Sequence, residues 1–500
     1  MPFEFLRLPR EIRDMIYEEY FRLDGGYLCD TDAFLKGSLS TSSGEPVDLS
    51  LVYTCKMVAE ETEYGNVALG FNTVTFTTLY SPEHGELALF FRKLMMDGVG
   101  FIKAAMLNSA CHQPTESSVS KLKSRYPQFA PLLHRLKPED PVTGHDLLSR
   151  VDFRGGSYGE APSLYHEFVD ETLRTAAEDP KASLAVRDFV VPWNLYCERN
   201  DAPPPGLEEY QRRRLRSGFE IIDNHSQFWE IPSPSDMDEL IRLTKYTVSA
   251  VCPEVETKYR FSAAAVAIYF LKNMSPNVCR HLRRLVLLED KRSLCYPESH
   301  ALGLIPFCQK YPKLNIERRA RLWTNVFLQG VEYDGMMERQ WIREYRQAPQ
   351  GDLFSINITP TVAPWVIEAS RLAKAGMPPG SFSLLLESAG ANELATEIFE
   401  SVVHKDIAWQ EAWMTCSEMM LPFPPHLVSQ EGRESLRHAS WNLLLPGGVV
   451  YPFENLARAM RDIVEGKSVV RCDFHPGTPW DVGPIVEQHK YWNEEKWEVE

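Results

Sequence analysis

Hydrophobic positions near the start of the chain recur at helical spacing. Ile12, Met15, Ile16 and Tyr20 fall on one side of a cylinder, and Tyr17 and Phe21 form a second apolar band beside them. The spacing predicts a helix over 9–22. Pro9 suits its first turn, where a missing N–H costs nothing. Glu11 and Asp14 sit near the positive end of the dipole, and Asp24-Gly25-Gly26 ends the run. A helix with two apolar sides can bury one and offer the other to a partner. A second helix is predicted over 48–65 behind Asp48, with Leu51, Val52, Cys55, Val58, Ala59 and Thr62 inward. The stretch 71–77, β-branched and aromatic, reads as a strand.

Farther along, the pattern predicts helices over 84–95, 163–178, 181–190, 236–249, 254–273, 316–329, 335–346, 362–375, 390–414 and 428–443. A strand fits 100–107. Three short runs, 282–289, 354–358 and 381–387, are apolar at successive positions. Strands of that kind are expected to be covered on both faces. The Ser- and Gly-rich stretch 36–47 reads as flexible. The segment 109–162 holds six prolines and the basic stretch KLKSRY, so it reads as an insertion outside the core. DAPPPG at 201–206 reads as a hinge. No fixed period marks a regular repeat.

Length gives a prior of roughly three domains. The divisions expected are 1–80, a helical region 81–235 carrying the insertion and the hinge, and a helix-rich unit 236–500. All eleven tryptophans lie after residue 190, which places the largest aromatic core in the last unit. The net charge of −16 argues against nucleic acid as a partner and against an anionic membrane surface. Ten cysteines contain no CxxC pair, the opening lacks a basic flank before an apolar signal core, and the longest apolar run is too short to span a bilayer. An intracellular protein, cytoplasmic or nuclear, with reduced thiols is the expectation.

The string Leu6-Arg7-Leu8-Pro9-Arg10-Glu11-Ile12-Arg13-Asp14-Met15-Ile16-Tyr17 resembles the opening of a large fungal family. Its members begin with an F-box-like helix of the form LP-x-E-(I/L)-R-x-x-I-Y. A second element of the form L-x-x-T-C-(R/K) follows, and then an N-T-x-x-F strand. Here these are Leu51-Val52-Tyr53-Thr54-Cys55-Lys56 and Asn72-Thr73-Val74-Thr75-Phe76, with a long loop, 24–47, between the first two. The resemblance covers about residues 3–78. It implies docking of the first helix on a Skp-type adaptor of a cullin ubiquitin ligase, with the remainder of the chain selecting a substrate. Leu8, Pro9, Ile16, Tyr17 and Tyr20 are the partner-binding residues expected. The fold class expected is α+β and predominantly α-helical: an F-box-like helical start, then a helix-rich domain with a few short buried strands.

Other chemistry is sparse. Gly155-Gly156-Ser157-Tyr158-Gly159 matches the G-x-S-x-G elbow of serine hydrolases, with 147–153 as the strand and Asp170 and His225 as triad candidates. Pro162 follows too closely for a clean elbow helix, and strand–helix alternation is missing nearby. A Gly-rich loop is the alternative reading, and no catalytic serine is expected. Cys279, His281, Cys295, His300 and Cys308 form the densest Cys/His group, but their spacing matches no finger or ribbon. Neither a metal nor another cofactor is expected. The arginines 212–214 and 216 follow Glu208 and Glu209 at helix-pairing distance and read as a solvated face. The leading expectation is a protein-interaction adaptor. A hydrolase using Ser157, or a non-catalytic structural protein with the first helix as core, are the alternatives.

Overall fold

The computed structural model describes residues 5–42, 48–100, 102–103, 106–107, 116–129, 161–179, 183, 186, 218–244, 259–328, 355–418 and 455–492. Helices predominate, around a seven-stranded sheet. Its strands are β1 (Tyr27–Cys29), β2 (Ser40–Thr41), β3 (Thr73–Thr77), β4 (Arg284–Glu289), β5 (Asn315–Arg321), β6 (Phe382–Glu387) and β7 (Val470–Cys472), in the spatial order β2-β1-β3-β4-β5-β6-β7. Only β2 is antiparallel to its neighbour; the other pairs are parallel.

From β1 through β3 to β7, spatial order follows chain order. Right-handed crossovers between parallel strands laid down this way all return on the same side of the sheet. That is the winding of a solenoid, in which each turn stacks on the last. The burial agrees. Along β3, Val74 and Phe76 are fully buried while Thr73, Thr75 and Thr77 are half-buried. Along β6, Phe382, Leu384 and Leu386 are buried while Ser383, Leu385 and Glu387 are not. β5 repeats the alternation with Ile316, Arg318 and Ala320 inward. One face of the sheet is therefore packed and the other is open, Val286 being its most shielded member.

The helices that bear on function are α1 (Arg10–Phe21), α2 (Lys56–Glu61), α3 (Pro162–Glu178), α4 (Ala263–Asn273), α5 (Ser355–Arg371) and α6 (His404–Glu418). α4 begins at Ser262, whose hydroxyl caps Ala265 N at 3.0 Å, and it packs on β3 and β4. Phe270 meets Phe76 edge-on at 5.3 Å. Among the described residues no helix is long and apolar enough to cross a membrane.

Several expectations change. The runs 282–289 and 381–387 do hold strands, but among the described residues these are covered on one face only. The run 354–358 does not give a strand: Ser355 opens α5, and Ile358 is buried from a helix. The helix expected over 316–329 is β5 followed by a short π-turn at Leu322–Val326. The strand expected over 100–107 is helical at its described positions. Part of the supposed insertion is packed: Glu116–Arg125 is helical, and Phe129 stacks on Phe168 of α3 at 4.7 Å. The basic stretch there faces α3, where Arg125 meets Glu171 at 3.0 Å. The divisions at 80 and 236 do not separate sheets, because β3 pairs with β4 directly. The helices expected over 335–346 and 428–443, the hinge 201–206 and the arginines 212–216 lie outside the described residues.

Candidate protein-docking surface

Three ties, made by Arg13, Tyr17 and Asn72, hold the N-terminal elements together. Arg13 donates from Nε to Glu61 Oε2 at 2.9 Å, from Nη2 to Glu61 Oε1, and from Nη1 to the Leu8 carbonyl. The Tyr17 hydroxyl donates to the same carboxylate at 2.6 Å. These bonds lock α1 to α2. The bond from Arg13 is the first cause that holds the Glu61 carboxyl down to about 2, and burial pushes the Tyr17 phenol up to about 12. At the far end of α1, buried Asn72 receives Leu23 N at 2.8 Å and donates to the carbonyls of Phe21 at 2.6 Å and Ala68 at 2.8 Å. That amide fixes the end of α1 against the start of β3. Gly26 lets the backbone approach there, since a Cβ would lie 2.3 Å from the Thr73 carbonyl oxygen.

So anchored, α1 buries Tyr17 and Phe21 and turns the i, i+3, i+4, i+8 set outward. Ile12 is 42% exposed, Met15 66%, Ile16 36% and Tyr20 38%. Tyr20 is held in place by its hydroxyl, which donates to Asp48 at 2.7 Å. Leu6, Tyr53 and Met57 are exposed on the flanking segments. Of the five partner-binding residues expected, Pro9, Ile16 and Tyr20 are exposed and Leu8 is half-buried. Tyr17 instead lies in the core, because its hydroxyl is bound to Glu61. Ile12 and Met15 complete the outward stripe; helical spacing alone marked them, but not which of the two bands would face out.

No protein-family model, no curated protein and no solved structure matches this chain. The geometry therefore stands by itself.

Ser157 and its expected strand lie outside the described residues. Of its candidate partners, Asp170 is paired with Lys103 at 2.7 Å and His225 is exposed in a loop. The Cys/His group is not assembled. Cys279 Sγ points to the carbonyls of Leu271 and Met274, and His281 Nε2 lies 3.0 Å from Glu63. His300 has both ring nitrogens engaged, with Ser262 Oγ at 2.7 Å and the Cys295 carbonyl at 2.9 Å. Cys308 is fully buried. Among the described residues no cluster of three or more His, Cys, Asp or Glu side chains could hold a metal ion.

Sequence reasoning missed a buried ionic hub on the packed side of the sheet. Arg318 of β5 donates from Nε and Nη2 to Glu289 Oε1 of β4 at 2.9 and 2.7 Å. It also reaches the carbonyls of Pro297 at 2.6 Å and Glu298 at 3.3 Å, and its guanidinium lies over Trp365 of α5, 4.6 Å from the ring centre. Glu289 accepts Ala263 N and Ala264 N at the start of α4 at 3.1 and 3.2 Å, where the helix dipole favours a carboxylate. Burial pushes the neighbouring Glu298 carboxyl up to about 7 and the His300 ring down to about 3. A carboxylate and an arginine thus clamp α4, β4, β5 and α5 together. Only the alternating burial of NIERRAR could have revealed it, and its charges disguised that alternation.

Proposed function

We propose that this protein is an interaction adaptor that docks through the outward face of α1, as the substrate receptor of a cullin-type ubiquitin ligase reached through a Skp-type adaptor. The observation that carries this reading is the stripe Ile12, Met15, Ile16 and Tyr20. It is apolar and exposed on a helix whose opposite side is bonded into the core. Rigid attachment removes the ordering cost that a loose helix would bring to binding. Each of these side chains is about half exposed and has about 1 kcal/mol left to gain on burial, so the stripe contributes about 4 kcal/mol before association costs.

Binding of the full chain to a purified Skp-type adaptor tests the reading. The double substitution Met15→Asp with Ile16→Asp should weaken the complex at least about tenfold. Both side chains lie on the outward stripe, and circular dichroism of the double variant checks that it stays folded. Unchanged affinity in the folded double variant, or no complex with the parent chain, would end the adaptor reading.

A further inference from the structure

The open face of the sheet carries a second pattern. Register places Arg284 of β4, Arg319 and Arg321 of β5 and Arg471 of β7 on that face, with Glu317 and Glu387 among them. Arg471 confirms the placement by reaching across β6 to Glu317 Oε2 at 3.1 Å and Ser383 Oγ at 3.0 Å. Four arginines thus face two glutamates, on a chain whose net charge is −16. Each glutamate is shared. Glu317 serves Arg319 at 2.7 Å as well as Arg471, and Glu387 serves Arg321 at 3.3 Å and Arg319 at 3.8 Å. Arg284 is exposed and forms no ion pair with any described residue. The side chains of Arg319, Arg321 and Arg471 are 39, 37 and 57% exposed.

A guanidinium has five N–H donors. Arg471 uses one amino group on Glu317 and Ser383, and Arg321 uses its Nε on Glu387, so both keep donors directed at solvent. Leu288, Arg319, Leu385 and Arg471 lie in one row across four successive strands, alternating apolar and cationic. Strands stand roughly 4.8 Å apart, which sets the Cα atoms of the two arginines of the row roughly 10 Å apart; their heads meet at the Glu317 carboxylate. No strand residue of this face is aromatic, so stacked bases have no platform there.

We propose that this face is a docking surface for an acidic segment of another protein. Its Asp or Glu side chains reach Arg284, Arg319, Arg321 and Arg471, and its apolar side chains lie on Leu288 and Leu385. The surface is separate from the α1 stripe and stands or falls without it. Charge complementarity sets the class of partner, and the alternation along the row selects an acidic segment with interspersed apolar residues over a purely acidic one.

Fluorescence anisotropy with the full chain tests it. The probe is a short labelled peptide repeating Glu-Leu-Glu-Ser, compared with its Lys-for-Glu counterpart at low and at physiological salt. The glutamate peptide should bind, bind more weakly as salt rises, and lose at least about tenfold in affinity with Arg319→Glu plus Arg471→Glu. The lysine peptide should not bind. Those two arginines also hold Glu317, so Arg284→Glu, which breaks no ion pair among the described residues, supplies a second variant that must weaken binding. Arg242→Glu, on the helix Pro234–Thr244 and away from the sheet, is the control and should leave binding as it was. The proposal is overturned if the glutamate peptide fails to bind at low salt, if the face variants bind like the parent, or if Arg242→Glu costs as much as Arg284→Glu.

Discussion

At Glu298 the protein holds a carboxyl group that burial pushes up to about 7, and one of its oxygens has no hydrogen-bond partner among the described residues. Two residues away, His300 is held neutral by the same burial. Their linkage to stability runs in opposite directions. Glu298 is raised from the usual carboxyl range to about 7, so the folded form holds its proton more tightly than the unfolded chain. Its contribution is complete below pH about 4.5 and is lost as pH rises through about 7. His300 is lowered to about 3, so its contribution is lost as pH falls from about 6.5 toward 3. In the parent protein the two slopes largely offset each other. Glu298→Gln removes one of them. Between pH about 4.5 and pH about 8 the unfolding free energy of this variant should gain about 3 kcal/mol relative to the parent. Urea unfolding at the two pH values measures it, and parallel pH profiles for the two proteins would show that Glu298 ionises normally.

The elements of the N-terminus are held by few bonds, which makes their order a local matter. α1 is 12 residues long and buries only Tyr17 and Phe21, so packing alone holds it weakly. Arg13 supplies the rest through Glu61 and the Leu8 carbonyl. Arg13→Ala leaves the Glu61 carboxylate partly buried with fewer donors. Hydrogen exchange of the α1 amides should accelerate by at least about tenfold, while α4 and the central strands keep their protection. Uniform exchange change across the chain would argue instead that α1 belongs to the global unfolding unit. These ties also show what could be read from the chain. α1, α3 and the strand at 73–77 were legible because their apolar residues keep one period. β4 and β6 were visible as apolar runs, but not their one-sided burial, since Val286, Leu288 and Leu385 place apolar residues on the open face. β5 was hidden for the opposite reason: NIERRAR buries an arginine and exposes charge on alternate positions, a pattern that also suits a surface helix. β1, β2 and β7 are two or three residues long, too short for any period to show.

For the molecule as a whole, the decisive pairing is β3 with β4. It joins the N-terminal strands to the rest in one sheet, with Phe76 covered by Phe270 of α4. A fragment ending at residue 80 would lose that cover and leave the edge of β3 unpaired. It should show no cooperative melting transition by circular dichroism, whereas the full chain should. A fragment that melts cooperatively would restore residues 1–80 as a module of their own. The same pairing separates spatial neighbours by the whole of residues 78–283. Closing a loop of about 200 residues costs about 2 kcal/mol more than closing the 25 or so between β4 and β5. The delay matters most on the ribosome. At about 5–20 residues per second, β4 emerges roughly 10–40 s after β3. Throughout that interval β1 protects one edge of β3 while the other edge, and the ring of Phe76, await a neighbour not yet made. The nascent chain therefore passes through a stage suited to chaperone capture, set by strand order rather than by the stability of the finished protein.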